Sequence, residues 1–133
     1  MRVLVVDDDR TSLLIVKMFV SLLGGEAVAV SDPELGLEEA AASDFDLVVV
    51  DVHMPKMDGI TFVERLRALP KAALLPVMMT TIDDAADVRQ AALRAGASEY
   101  MTKPLDRLGF TSRLESLVSG GADNIVFQKA HVG

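Results

Sequence analysis

Short, mostly apolar runs alternate with helix-like segments five times along the chain, and this alternation restricts the fold more than any other feature. The runs cover residues 3–6, 27–30, 47–50, 77–81 and 98–102, and the helical segments cover residues 10–23, 33–42, 59–69, 85–94 and 106–118. Continuous apolar runs are typical of strands buried on both faces of a parallel sheet. The sequence therefore predicts an α/β fold in which helices cover both faces of a parallel sheet, with right-handed crossovers.

Residues that favour helix starts precede several of the helical segments. Asp9 is expected to cap the first helix, and Asp32 the second, because a short polar side chain can accept from an otherwise unpaired backbone N–H. Pro33 suits the first position of the second helix, where a missing N–H costs nothing. Asp83 or Asp84 is expected to cap the fourth helix.

The length of 133 residues predicts one folded domain, which we place at residues 1–118. The remaining residues, 119–133, are expected to be a tail or the start of a linker to an absent effector domain. Gly120 and Gly121 suggest a flexible joint. Residues 125–127 could form a short strand or dock on a partner.

The composition excludes several classes of function. The 20 acidic and 13 basic residues give a formal charge of −7, which argues against direct nucleic-acid binding because phosphates require a basic face. The chain has no cysteine, so disulfides and thiolate metal sites are excluded. No apolar run approaches the ~20 residues of a membrane span, and no signal peptide is recognisable. We therefore expect a cytoplasmic protein that does not enter a membrane.

Residues with a carboxylate, hydroxyl or amine group end or follow four of the five predicted strands. In a parallel sheet these strand ends lie at one edge, where ligands bind in open α/β folds. The residues concerned are Asp7 and Asp8 after the first strand, Asp51 after the third, Thr81 at the end of the fourth and Lys103 after the fifth. Each alone is common in turns, caps or surfaces, but their joint position predicts a single site.

This set of residues suits phosphoryl transfer with a divalent cation. Neighbouring carboxylates repel one another unless a cation offsets their charge, and Mg²⁺ prefers such oxygen ligands. A cation, the Lys103 amine and the Thr81 hydroxyl would stabilise the charge on a transferring phosphoryl group. Asp51 would then be the nucleophile that forms an acyl phosphate.

The chain resembles the receiver (CheY-like) domain of two-component response regulators from residue 1 to about residue 118. The motif Asp-x-x-Met-Pro-x-Met-Asp-Gly at residues 51–59 carries most of the resemblance, and the matching pieces around it are residues 5–8, 76–81, 95–97 and 103–104. The resemblance implies a single doubly wound (βα)5 domain of the flavodoxin type. Its five parallel strands would lie in the order 2-1-3-4-5.

The same resemblance implies the roles of the acidic residues. Asp51 would be the phosphoacceptor, and Asp7 and Asp8 would hold Mg²⁺ together with Asp51, directly or through water. The backbone carbonyl of His53 would complete the metal site. Mn²⁺ is an alternative ion for such a set of oxygen ligands.

Further residues match positions that contact the phosphoryl group or respond to it. Thr81 and Lys103 would contact the group, and the Lys103–Pro104 peptide bond would be cis. Tyr100 matches the aromatic position that swings inward with the threonine on activation, so Thr81 and Tyr100 form the expected switch. Thr80 is the alternative to Thr81, because the two threonines are adjacent and the choice depends on the register from Pro76.

Three residues near the expected phosphoryl group are predicted to adjust the lifetime of the acyl phosphate. Ile82 is bulky where the family usually has a small residue, and it could narrow access to the phosphate. The side chain of His53 is expected near solvent beside the site rather than on the metal. Asp83 completes this rate-modulating group.

The function implied by the resemblance is a signalling switch rather than an enzyme. A sensor histidine kinase or a histidine phosphotransfer protein would donate the phosphoryl group, and a downstream effector domain or protein would read the result. The output face would be formed by the fourth helix, fifth strand and fifth helix. An alanine-rich fourth helix is compatible with a phosphorylation-dependent homodimer through this face, or with simple packing on the sheet.

Two alternatives compete with the receiver. A phosphatase resembling the haloacid-dehalogenase superfamily would use Asp7 as its nucleophile, with Asp9 as partner. The order of its late acid pair, Asp83 and Asp84, relative to Lys103 is wrong for that family, and the chain has no cap for recognising substrates. The other alternative is a non-phosphorylated interaction module, which usually loses part of the acidic set that this chain retains.

Overall fold

The computed structural model describes residues 1–132 of the backbone and the side chains of residues 1–120. Five parallel strands form one sheet in the order β2-β1-β3-β4-β5. The predicted strand order is confirmed. The strands are β1 Arg2–Val6, β2 Glu26–Val30, β3 Leu47–Asp51, β4 Val77–Thr81 and β5 Glu99–Thr102.

Five helices alternate with these strands, which confirms the predicted doubly wound α/β fold. No helix in the part of the chain that the structure describes is long and apolar enough to cross a bilayer. The helices are α1 Arg10–Leu22, α2 Pro33–Ala42, α3 Gly59–Arg67, α4 Ala86–Ala95 and α5 Arg107–Val132, and a 3-10 turn covers Pro70–Ala72.

Side chains alternate across the sheet and divide the core into two layers. On one face, Val50 and Met79 pack with Phe62 of α3. On the other face, Val49 and Met78 pack with apolar residues of α1 and α5. Both faces of the central strands bury apolar side chains, which explains why these strands appear in the sequence as continuous apolar runs.

Two of the predicted helix caps are confirmed. The Asp9 carboxylate accepts from the backbone N–H of Ser12 at the start of α1, and that of Asp32 accepts from Glu34 at the start of α2. Pro33 occupies the first turn of α2, as predicted.

The predicted cap of α4 is wrong. The residue at the cap position is Ala85, which makes no side-chain capping bond. Asp83 accepts instead from the Ala85 N–H at 3.0 Å, one residue before the helix begins. An aspartate can close such a local turn as readily as it caps a helix, so its position in the sequence did not distinguish the two.

The fifth helix is longer than predicted. It does not end near Val118 but continues through Gly120 and Gly121 to Val132, and residues 125–127 are helical rather than a strand. Glycine lowers helix propensity by about 1 kcal/mol but keeps its N–H, so it does not end a helix as proline does. The last proline of the chain is Pro104, before the helix starts.

Arg67 joins the loop after α3 to the turn between α4 and β5. Its guanidinium donates to the carbonyl of Gly96 at 2.6 Å and to those of Ala72 and Leu75 at 2.8 and 2.5 Å. Gly96 has a φ of 117° at the end of α4, a conformation that favours glycine. The C-terminal end of α4 is therefore held by the side chain of Arg67, whereas the cap residue at its N-terminal end, Ala85, makes no side-chain bond.

Candidate functional site

Three carboxylates lie together at the C-terminal edge of the sheet. Oxygen atoms of Asp7, Asp8 and Asp51 all lie within 4.8 Å of one another. The sheet register explains why Asp7 and Asp51 lie close together. Val6 of β1 is paired with Val50 of β3, and the next residue of each strand segment is an aspartate. Asp7 and Asp51 are 3% and 6% exposed, whereas Asp8 faces solvent.

Lys103 joins two of these carboxylates. Its Nζ lies 2.8 Å from Oδ2 of Asp7 and 3.3 Å from Oδ1 of Asp51. The lysine reaches them from the loop after β5, where the Lys103 N–H donates to the carbonyl of Thr81. The Lys103–Pro104 peptide bond is cis.

The electrostatics of the cluster favour the addition of a cation. Burial, together with the negative charge of Asp7, raises the pKa of Asp51 from 3.8 to about 6, although Lys103 opposes the change. Burial alone would lower the pKa of Lys103, but the hydrogen bond to Asp7 and the charges of Asp51 and Asp7 raise it overall. Lys103 is therefore firmly charged, while Asp51 still lacks full compensation.

The donor set fits a hard divalent cation. All three groups are carboxylates, and two of them are buried at the edge of the sheet. Mg²⁺ and Mn²⁺ prefer such oxygen ligands, whereas zinc sites usually contain cysteine or histidine. Asp8 is open to solvent, so an ion bound here could keep part of its water shell.

Gly59 allows the turn after β3 to lie against the site. The Gly59 N–H donates to the carbonyl of Val52 at 2.7 Å. A Cβ at this position would collide with the backbone oxygen of Asp51 and with the side chain of Met79. The preceding residue, Asp58, caps α3 by accepting from the Thr61 N–H at 2.8 Å. This cap was not predicted from the sequence, although an aspartate directly before a helical pattern is its usual signal.

The two adjacent threonines point to opposite faces of the sheet. Thr80 is the register partner of Asp51, and strand alternation places its side chain on the same face as Met78. Thr81 is fully buried, and its hydroxyl accepts from the Asp83 N–H at 3.0 Å. No hydrogen bond joins either hydroxyl to Asp51 or Lys103 among the residues that the structure describes.

Tyr100 is buried and contacts both the loop before α4 and the first turn of that helix. Its hydroxyl donates to the carbonyl of Asp83 at 2.7 Å. The guanidinium of Arg89 lies 5.0 Å from the ring centroid and also pairs with Asp84 at 3.4 Å. The sequence did not indicate that Arg89 contacts Tyr100, because this contact depends on how α4 packs beside β5.

The three predicted rate-modulating residues lie on the loops that follow β3 and β4. Nε2 of His53 lies 3.7 Å from Oδ2 of Asp83, and both side chains are about half exposed. Ile82 is 78% exposed, directly after Thr81. The sheet edge thus brings together Asp7, Asp8, Asp51 and Lys103, and His53 and Asp83 lie close to each other on the loops that follow β3 and β4.

The chain belongs to the response regulator receiver domain family, whose model matches residues 3–115. One curated relative is the transcriptional activator protein IrlR of Burkholderia pseudomallei, which is 33% identical over 121 residues, or 91% of this chain and 52% of that protein. The chain spans about half, or less, of the length of the first curated relatives it matches. The family prediction from the sequence is confirmed.

Solved structures support the same fold. The chemotaxis protein CheY4 of Vibrio cholerae is 27% identical, with a TM-score of 0.83 and coverage of 87% of this chain and 97% of that one. The receiver domain of the sensor histidine kinase PA1611 of Pseudomonas aeruginosa is 22% identical, with a TM-score of 0.82 and coverage of 89% and 97%. That structure contains a magnesium ion coordinated in its active-site cleft.

Proposed function

We propose that this chain is a phosphorylation-activated switch in which Asp51 accepts a phosphoryl group in a Mg²⁺-dependent reaction. The observation that carries the proposal is the contact of Lys103 with both Asp7 and Asp51 inside a cluster of three carboxylates. A buried aspartate with incomplete charge compensation, beside a lysine and a cation site, is suited to become an acyl phosphate.

Different residues of the chain have different roles in this proposed reaction. Asp7, Asp8 and Asp51, with the carbonyl of His53, would hold the ion, whose charge offsets that of the phosphoryl oxygens. An oxygen of Asp51 would attack phosphorus while the bond from phosphorus to the donor histidine breaks. Lys103, already beside Asp51, would pair with the added negative charge.

The signal would pass from the phosphoryl group to α4 through Thr81 and Tyr100. Movement of the Thr81 hydroxyl toward the phosphoryl group would break its bond to the Asp83 N–H, and the same loop residue accepts from Tyr100. Because the cap residue of α4, Ala85, makes no side-chain capping bond, we expect that end of the helix to be the easier one to displace. His53, Ile82 and Asp83 would set how quickly water reaches the acyl phosphate.

The proposed partners follow from this role. A sensor histidine kinase or histidine phosphotransfer protein would donate the phosphoryl group, and an effector domain or protein would read the α4–β5–α5 face. The same proposal includes a phosphorylation-dependent homodimer through that face. It also places the protein in the cytoplasm and limits its own chemistry to self-phosphorylation and self-dephosphorylation. Light scattering with beryllofluoride tests the dimer, and an unchanged monomer would contradict it.

Mapping the modified residue tests the proposal directly. The protein is incubated with Mg²⁺ and a small phosphodonor such as phosphoramidate, reduced with borohydride and digested for mass spectrometry. Modification of Asp51 is expected, with none in Asp51→Asn. Modification of Asp7 would instead favour the haloacid-dehalogenase-like phosphatase, which the family match does not support.

A further inference from the structure

A cavity of about 340 Å³ lies between the first turns of α1, the end of β4 and the loop after β5. Its lining is mostly apolar and includes Ile15, Val16, Ile82 and Leu105. Asp51 does not line it, although Asp7 and Lys103 do. The volume lies at the lower end of the range for small-molecule pockets, about 300 to 1,000 Å³.

The Thr80 side chain supplies a buried hydrogen-bonding group in the wall of this largely apolar cavity. Thr80 is 2% exposed and lines the cavity, on the same sheet face as Met78 and the apolar residues of α1 and α5. Its hydroxyl has no hydrogen-bond partner among the residues that the structure describes, and every fully enclosed polar side-chain atom among them does have one. The hydroxyl therefore faces the open space of the cavity, where a bound molecule can reach it.

The charged groups around the cavity already have polar partners. Asp7 accepts from Lys103 through Oδ2 and from the Asp9 N–H through Oδ1. Asp9 accepts from the N–H and hydroxyl of Ser12. The two carboxylates and one ammonium group carry a net negative charge, which disfavours an anionic ligand. The carboxylate oxygens already accept hydrogen bonds, so they offer few free acceptors to a cationic ligand. The lining therefore suits a neutral molecule.

We propose that this cavity binds a small neutral organic molecule with an apolar body and one hydrogen-bonding oxygen, which pairs with the Thr80 hydroxyl. An apolar cavity of about 150 Å³ accommodates benzene, so this one has room for a substituted ring or two fused rings. Ile82, 78% exposed at the rim, can lose its contact with water by folding over the ligand. The ligand would also touch Lys103, the residue that contacts Asp51.

The test uses two probes that differ in one oxygen. Para-fluoroacetophenone carries a carbonyl oxygen, and para-fluorotoluene has the same ring without it. Both are titrated into the full chain, unphosphorylated and without a phosphodonor, so the result does not depend on whether Asp51 accepts a phosphoryl group. Fluorine NMR follows the probes, and methyl-labelled isoleucine NMR locates them, with Ile60 of α3 as an internal control away from the cavity.

Saturable shifts of the Ile15 and Ile82 methyl groups, with Ile60 unchanged, are expected for both probes. Thr80→Val keeps the shape of the side chain and removes the hydroxyl, so it should weaken para-fluoroacetophenone binding about five- to tenfold and leave para-fluorotoluene unchanged. Leu105→Trp should fill the cavity and abolish the binding of both probes.

Three results would overturn the proposal. One is the absence of saturable shifts at Ile15 and Ile82 up to the solubility limit of the probes. Another is equal binding of para-fluoroacetophenone by the parent and by Thr80→Val, a comparison that stands even if Leu105→Trp fails to fold. In the third, neither probe shifts these methyl groups but a histidine phosphotransfer protein does. That result would assign the cavity to a protein interface.

Discussion

The ammonium nitrogen of Lys103 lies 3.3 Å from Oδ1 of Asp51, and this contact connects the loop after β5 to the end of β3. The two residues are not on neighbouring strands, because β4 lies between β3 and β5. The lysine also contacts Asp7 at the end of β1. Its position therefore depends on the packing of β1, β3, β4 and β5, and so does the charge balance of the candidate site.

Asp51→Asn is expected to stabilise the metal-free protein at pH 8. The raised pKa of Asp51 means that its contribution to stability is fully present below about pH 4 and is lost as the pH rises through about 6. Relative to the variant, the parent should therefore lose about 1 to 3 kcal/mol of unfolding free energy between pH 4 and pH 8. Urea titrations at both pH values in EDTA measure the difference, and the exposed Asp44→Asn is the control. A constant difference would contradict the raised pKa.

Mg²⁺ is expected to raise the unfolding temperature of the parent, and Asp8→Asn should weaken its binding about tenfold by removing one charged ligand. Isothermal titration calorimetry measures the affinity. Asp9→Asn is the matched control, because asparagine caps a helix as well as aspartate and Asp9 is not in the carboxylate cluster. Equal losses in the two variants would show that general surface charge, not the cluster, binds the ion.

Lys103→Met should lower the unfolding free energy by about 2 to 4 kcal/mol at pH 8, because it leaves two buried carboxylates without their cation. Protonation of Asp51 near pH 5, or saturating Mg²⁺ at pH 8, should restore part of the loss. Chemical unfolding under the three conditions measures the effect. If the loss of unfolding free energy changed with neither pH nor Mg²⁺, the lysine would stabilise the folded protein through packing alone.

Ile82→Ala is expected to shorten the lifetime of phosphorylated Asp51 severalfold, because it removes an exposed, bulky side chain next to Thr81. The decay of the phosphoprotein after removal of the donor measures the lifetime. Leu74→Ala, which truncates another exposed side chain in the loop before β4, is the control. Equal lifetimes for the parent and Ile82→Ala would remove Ile82 from the rate-modulating residues.

Arg67→Met should cost about 3 kcal/mol of unfolding free energy, because it leaves the carbonyls of Ala72, Leu75 and Gly96 without their shared donor. Arg67→Lys, which keeps the charge but has a single donor nitrogen, should recover only part of the loss. Urea unfolding compares the three proteins. If lysine restored the full stability, charge rather than the forked geometry would be responsible.

The order of elements and the edge of the sheet that carries the site could be predicted from the sequence. Apolar runs that end at Asp7 and Asp51 are local patterns, and parallel strands must present such ends together. The caps at Asp9 and Asp32 are likewise local, since each involves an N–H only two or three residues away. Patterns of this kind are contained in a few consecutive residues.

Contacts between distant segments needed the folded chain. Arg67 is the last residue of α3, yet its side chain holds the turn after α4, and Thr80 lines a cavity that three separate segments enclose. Gly59 is required because the backbone of Asp51 passes so close to it that a Cβ has no room. Residue type and spacing predict which side chains reach one edge of the sheet, but packing between layers sets their distances and determines which polar groups find partners.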